Sequence, residues 1–351
     1  MYLGDANMTY LDYSATTKIT NETLEIVKND LFTKVEEENL AKYKKEIKEI
    51  LNTNHEVIFT SGSSESNNYA LKGICGKTEK SEIITTNLEH SSINETLKYL
   101  EKNFKIKYCP LKNGIVDLEE LEKLITDNTA LITITAVNSE TGMLNQVDEI
   151  GKISKKHNIP FHCDMTQSIG KIDIPLENID LISISSHKFY GPKGIGLLLK
   201  KENINLEKLI YGKREYNLGL IKGLINALKI SITNQKENYK KVEDLNNYLK
   251  DNLKSLPNVI INSNENSIPH ILNISMLNYK PETFLHYLEM NQIYISTQSA
   301  CATSDYSKAV YNITGSIERA KTSVRISLSH NTKKEELTRL LELVKRSEHG
   351  R

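Results

Sequence analysis

Asp180-Leu-Ile-Ser-Ile-Ser-Ser-His-Lys-Phe-Tyr-Gly-Pro-Lys-Gly-Ile-Gly196 joins two apolar runs through a polar turn. Leu181 to Ile184 reads as a buried strand, and it stops at Ser185-Ser186-His187-Lys188. A turn rich in Gly and Pro then leads into a second apolar run, Ile195 to Leu199. A lysine at the mouth of a buried strand, among hydroxyls and an imidazole, is costly unless its charge or its amine is used. On these residues alone Lys188 reads equally well as a solvated lysine in a strand-to-strand turn, as Lys193 does.

Working outward, strands and helices alternate on the amino-terminal side. Val57–Thr60, Glu82–Thr86, Lys105–Cys109, Thr129–Val137 and Pro160–Cys163 read as strands. Helical patterns cover 21–31, 39–51, 91–102, 117–125 and 146–157, and another runs from the Ser61-Gly-Ser-Ser turn through Ile74. This rhythm predicts an α/β fold with a mostly parallel sheet and helices on both faces. Ligands in such sheets lie at the carboxyl ends of the strands. Five polar clusters occupy those ends: Ser61–Ser64, Glu89-His90, Asn138–Glu140, Asp164–Gln167 and Ser185–Lys188. Ser63 and Ser64 open a helix after a strand, so they read either as anion-binding donors or as simple N-caps.

Past Leu199 the pattern changes. Residues 217–254 read as one long helix or a pair, and the remainder mixes strands (259–261, 270–275, 293–296, 323–327) with helices near 281–290 and 333–346. The expected division is a large α/β domain over 1–245 and a smaller α+β domain over 246–351, with the N-terminal segment packing on the smaller one. A chain of 351 residues exceeds one typical core, which fits two units.

Lys+Arg and Asp+Glu number 45 each, so charge argues for neither nucleic acid nor an anionic membrane as partner. No stretch approaches the roughly 18 apolar residues of a membrane span, and Met1-Tyr-Leu-Gly-Asp lacks a signal-like pattern. A cytoplasmic location is the expectation. Cys75, Cys109, Cys163 and Cys301 are scattered with no Cys-x-x-Cys pair, against a disulfide framework or a metal knuckle. Three of them sit in apolar or helical surroundings. Cys301 lies instead in the small and polar run Gln298-Ser-Ala-Cys-Ala-Thr-Ser-Asp305, where a free thiol invites a reactive role and the alternative is a tolerated loop cysteine.

A lysine amine, an acidic residue, an anion-binding turn and a histidine at strand ends suit pyridoxal 5′-phosphate. The sequence resembles the NifS/IscS-type cysteine desulfurases of the class V aminotransferase group, from Tyr10 to about Leu340. The resemblance rests on 10–17 (Tyr-Leu-Asp-Tyr-Ser-Ala-Thr-Thr), 59–68 (Phe-Thr-Ser-Gly-Ser-Ser-Glu-Ser-Asn-Asn), Glu89-His90 and Ser139-Glu-Thr-Gly142. It continues through 162–171 (His-Cys-Asp-Met-Thr-Gln-Ser-Ile-Gly-Lys), 185–194 and Ser299-Ala-Cys301. It implies fold type I architecture, with a seven-stranded-type sheet in the large domain.

It also implies roles. Lys188 resembles the Schiff-base lysine, Asp164 the partner of the pyridine nitrogen, and Gln167 the donor to the ring hydroxyl. His90 is similar to the stacking imidazole that assists proton transfer. Ser63, Ser64, Ser185 and His187 fall where the family holds the phosphate, and Arg325 where it clamps the substrate carboxylate. Cys301 matches the thiol that takes sulfur from L-cysteine, leaving alanine, for transfer to an acceptor protein in iron–sulfur assembly or tRNA thiolation. A homodimer is implied, and no metal.

Three departures stand out. Phe32–Asn39 replaces the usual Gly-Asn-Pro-Ser-Ser stretch, Ser139 stands where the family has a second cofactor-contacting asparagine, and the Arg-x-Gly-Thr segment is missing near Tyr211–Asn217. Lys213 or Arg214 is the expected electrostatic replacement for the lost phosphate contact. Selenocysteine lyase activity and a non-catalytic scaffold are the competing readings. Cys301 argues against the first, and the retained lysine against the second.

Overall fold

The computed structural model describes residues 8–33, 36–212, 214–277, 279–297 and 305–349. The first half contains β1 (Thr9–Tyr10), α1 (Asn21–Asn29), α2 (Glu37–Ile50), β2 (Glu56–Thr60), α3 (Ser63–Cys75), β3 (Glu82–Thr85), α4 (Ser91–Leu100) and β4 (Lys105–Tyr108). A small hairpin, β5 (Leu111–Lys112) and β6 (Ile115–Val116), precedes α5 (Leu118–Leu124), β7 (Thr129–Thr135), α6 (Val147–Lys156) and β8 (Phe161–Asp164). Then come β9 (Leu181–Ser185), a 3-10 turn at Ser186–Lys188, β10 (Gly196–Lys200), α7 (Leu218–Thr233) and α8 (Gln235–Leu253). The last part holds β11 (Val259–Ile261), β12 (Ile271–Met276), α9 (Pro281–Met290), β13 (Ile293–Tyr294), α10 (Lys308–Thr314), α11 (Ile317–Lys321), β14 (Ser323–Ser327) and α12 (Lys334–His349).

The main sheet has seven strands in the order β2-β10-β9-β8-β7-β3-β4. β10 is antiparallel to both its neighbours, and the pairs from β9 to β4 are parallel. Both faces are buried, which explains the near-continuous apolar runs. Ile132, Ile134, Phe161, Cys163, Ile182 and Ile184 face one core cluster. On the other face Leu131 and Leu181 pack with Ala70, Leu71 and Ile74 of α3.

That second face turns polar toward the carboxyl ends of its strands, through Thr133 and Thr135, His162 and Asp164, and Ser183 and Ser185. His162 Nδ1 lies 2.8 Å from Thr133 Oγ1 and its Nε2 2.9 Å from Ser183 Oγ. The buried imidazole thus has partners on both neighbouring strands, as burial of a polar group demands. Two glycines bring the start of α3 against this polar end. A Cβ on Gly196 would sit 2.7 Å from Gly62 Cα, and Gly62 itself has φ +154°.

A second cluster forms around the antiparallel β11-β12-β14 sheet, with Val242, Leu249 and Leu253 of α8 and Leu337, Leu340 and Val344 of α12. Residues 217–254 resolve into a pair of helices meeting at Asn234. The expected division at 245/246 falls inside α8, whose Val242 and Leu249 share the second cluster. The N-terminal segment joins that cluster: β1 pairs with β13, and Leu11 is fully buried there. Two short helices, α10 and α11, went unanticipated, although serine N-caps at 307 and 316 and an αL Gly315 mark them. Among the described residues no helix is long and apolar enough to cross a membrane.

Candidate active site

The carboxyl ends of β2, β3, β7, β8 and β9 open onto one cavity of about 260 Å³. Nine of the eleven residues singled out from sequence line it: Ser63, Ser64, His90, Ser139, Asp164, Gln167, His187, Lys188 and Arg325. Ser185 is buried at the end of β9 but is not on the cavity wall. Cys301 lies outside the described residues.

Lys188 sits at the end of the 3-10 turn that follows β9. Its Nζ donates to the backbone carbonyls of Ser14 (2.6 Å) and Ala15 (2.7 Å). Burial, with Arg325 adding to the fall and Asp12 and Asp164 opposing it, brings its pKa from the ordinary 10.5 down to about 8. A charged lysine in this place costs stability below about pH 8, and that cost fades as pH climbs from 8 toward 10.5. Acylation of lysines read by mass spectrometry is therefore expected to reach half its limiting rate near pH 8 at Lys188. A midpoint near that of the exposed lysines would contradict this geometry.

Asp164 ends β8. Its Oδ1 accepts from the Thr166 N–H and its Oδ2 from Asn67 Nδ2 of α3, at 2.9 and 2.8 Å. The same Asn67 amide donates to Ser92 Oγ (2.8 Å), which lies 2.8 Å from His90 Nδ1. His90 caps α4, its Nδ1 accepting from the Ser92 N–H. That contact makes Nδ1 the acceptor and leaves the proton of a neutral ring on Nε2. Burial, with a contribution from Lys188, lowers the pKa of His90 and keeps it neutral, while Asp164 pulls the other way. Behind it Glu89 is fully buried and pushed up to about 8 by burial, with Asp164 adding to the rise.

Gln167 donates through Nε2 to the Ser14 carbonyl (2.9 Å), and its Oε1 accepts from Lys171 Nζ (2.7 Å). Lys171 therefore settles which way the amide points. Arg325 on β14 donates from Nη1 to the Ser139 carbonyl (2.9 Å) and from Nη2 to Asp12 Oδ1 (2.7 Å). His187 Nδ1 lies 3.0 Å from Thr16 Oγ1.

At the anion end, Gly62 rather than a serine occupies the N-cap of α3, with no side-chain cap. Ser63 and Ser64 thus line the cavity beside an uncapped helix start, the arrangement that favours an anion. Arg214 does not join them. Its Nη1 donates to the Phe59 carbonyl (2.7 Å) and its Nη2 pairs with Glu65 (3.0 Å), so a carboxylate in the first turn of α3 already neutralises it. Within the described chain Arg214 is thus engaged at Phe59 and Glu65, away from the cavity wall, and Lys213 lies outside the described residues.

Three buried side-chain atoms without a partner among the described residues, Ser14 Oγ, Thr166 Oγ1 and Arg325 Nε, belong to residues that line the cavity. Orphaned polar atoms around one hollow mark a place for a polar ligand. The donor set fits a ligand with a phosphate at the α3 end, an aldehyde at Lys188 and a basic nitrogen at Asp164. Asp12, Asn67 and Lys171 were not singled out from sequence, although each lies within a quoted motif.

A buried, neutralisable lysine at the carboxyl end of a mostly parallel seven-stranded sheet defines the fold type I class of enzymes. The chain matches the family described as Aminotransferase class-V over residues 9–215 and 216–340, and it belongs to that family. It is 36% identical over 371 residues to the cysteine desulfurase IscS of Clostridium botulinum (strain Kyoto / Type A2), covering 95% of this chain and 93% of that protein. Among solved structures it is similar to a NifS-like protein (TM-score 0.90, 30% identity, covering 98% of this chain and all of that one). It is also similar to SspA in complex with cysteine (TM-score 0.76, 30% identity, 91% and 98% covered).

Proposed function

We propose that the protein is a pyridoxal 5′-phosphate-dependent cysteine desulfurase that converts L-cysteine to L-alanine and leaves the sulfur as a persulfide on Cys301. The observation that carries this reading is the meeting of Lys188, Asp164 and Arg325 in one cavity, the first two from adjacent strand ends and the third from far along the chain. The name of the IscS relative and the cysteine held by SspA support it.

When bound, the cofactor supplies an aldehyde for the lysine amine and a ring that takes up electrons from the substrate α-carbon. Ser63, Ser64 and His187, which line the cavity, would hold its phosphate, with Ser185 buried outside the wall in support, and Ser139 would contact the cofactor. Asp164 would keep a proton at the ring nitrogen, and Gln167 Nε2 would donate to the ring hydroxyl. His90, neutral with its proton on Nε2, would stack on the ring and assist proton transfer.

Arg325 binds the substrate carboxylate, its buried Nε having no partner among the described residues. Lys188, whose lowered pKa makes the free amine accessible near neutrality, moves the α-proton. The Cys301 thiolate attacks the substrate sulfur. The substrate C–S bond breaks with its electron pair kept on carbon, which ends as the methyl group of alanine. One S–S bond forms, so that one cysteine and one thiol become one alanine and one persulfide.

The sulfur then passes to an acceptor protein of iron–sulfur assembly or tRNA thiolation. A cytoplasmic homodimer with two domains belongs to the same reading, the division lying near 245/246.

Incubation with L-cysteine and dithiothreitol tests the reading. Wild type is expected to release alanine and sulfide in equal amounts, and Cys301→Ala to lose both by about a hundredfold or more. Undiminished alanine from Cys301→Ala would remove the persulfide step. A colourless protein that takes up no added pyridoxal 5′-phosphate would favour a scaffold instead.

A further inference from the structure

Residues 10–17 carry a motif for which the chemistry above finds no use, and the structure threads them between the two cations of the cavity. The Ser14 and Ala15 carbonyls hold Lys188, while Asp12 holds Arg325. Asp12 is fixed in turn. Its Oδ2 accepts from Ser296 Oγ (2.9 Å), its backbone forms a bridge with Ser327, and the neighbouring Ser14 N–H donates to Ser327 Oγ (2.9 Å).

The Arg325 side chain is 4% exposed. A guanidinium has five N–H donors. Nη1 serves the Ser139 carbonyl, Nη2 serves Asp12, and Nε is buried without a partner among the described residues. The arginine that faces the cavity therefore already has one carboxylate and keeps an unused donor for another.

We propose that Asp12 is a resident counter-carboxylate: it neutralises Arg325 when no substrate is bound and limits how tightly any incoming α-carboxylate is held, so that the amino-acid product can leave. The proposal rests on Arg325 being the carboxylate site. A buried guanidinium with no counter-charge destabilises the free protein and would grip any anion that relieved it. With Asp12 in place, the attraction of an incoming carboxylate to Arg325 is offset by repulsion from Asp12 at similar range. What remains is the directional bond to Nε. Asp12 is thus a positioning residue that tunes affinity and touches no reacting atom.

The isosteric Asp12→Asn variant keeps an acceptor for Nη2 and removes the charge. In the cofactor-loaded enzyme the inhibition constant for L-alanine and the KM for L-cysteine are expected to fall about tenfold. A purely structural residue would leave them unchanged or raise them. Cofactor-free protein supplies a second readout. Asp12→Asn is expected to lower Tm, and sodium propionate to restore it beyond sodium chloride of equal ionic strength, with no such rescue in wild type.

Alanine and cysteine binding that is unchanged or weaker in Asp12→Asn overturns the proposal, as does a Tm loss that propionate does not repair. Arg325→Ala separates the two levels. If it weakens binding at least tenfold while Asp12→Asn fails to tighten it, only the role of Asp12 falls. If Arg325→Ala leaves binding untouched, the carboxylate site itself is wrong and both fall.

Discussion

Lys188→Ala is expected to cut alanine formation from L-cysteine at least about a thousandfold, the scale of a lost general base, while the protein stays folded. The amine is held by two carbonyls at a place where burial makes its neutral form accessible near pH 8. The nearest candidate substitute, Lys171, is committed to Gln167 Oε1. Lys188→Arg is expected to fail equally, since a guanidinium stays protonated and cannot serve as the amine.

Stability tells the fold and the chemistry apart. Removing a buried amine relieves its desolvation but takes a donor from the Ala15 carbonyl, while the Ser14 carbonyl keeps Gln167 Nε2, and these effects oppose each other. The Tm is therefore expected to shift little. Alanine release assayed beside thermal unfolding decides it: more than a tenth of wild-type activity in a folded Lys188→Ala protein would sink the assignment.

Asp164→Asn is the second large effect, a loss on the order of a hundredfold or more from removing one preorganised charge. The change is nearly isosteric, so the Thr166 N–H keeps its acceptor at Oδ1. Asn67 has an unpaired buried Oδ1 and can turn its amide to meet the new donor. What disappears is the negative charge. Asp164 raises the pKa of Lys188, so without it the acylation midpoint at Lys188 is expected to fall below about 8. A rate loss with that midpoint unmoved would mean that Asp164 is not electrostatically coupled to the lysine.

Much of the cavity was legible before the fold was known, because parallel sheets place ligands at strand ends and polar residues there have few structural uses. Asp164, Lys188 and His90 each follow an apolar run that breaks into polar residues. Local reading went less far where two mechanisms use the same residues. Ser63 and Ser64 fitted both an N-cap and an anion site, and only the Gly62 N-cap and the cavity wall separate them. Arg214 shows a long-range partner that no local pattern marks. Its place in a shortened loop suggested a cofactor contact, but the chain routes it to Glu65, a partner 149 residues away.

Periodicity and turn chemistry act over a few residues, so they were enough to specify the alternating strands, the doubly covered sheet and the lysine at its mouth. The pairing of Asp12 with Arg325 across 313 residues and the grip of Ser14 on Lys188 across 174 carry no such local mark. Those contacts exist because β1 pairs with β13, far along the chain, and then leads residues 12–17 past both cations. Packing made that choice, since a short two-residue strand and an ordinary carboxylate have no intrinsic preference for a partner until the two cores are assembled around them.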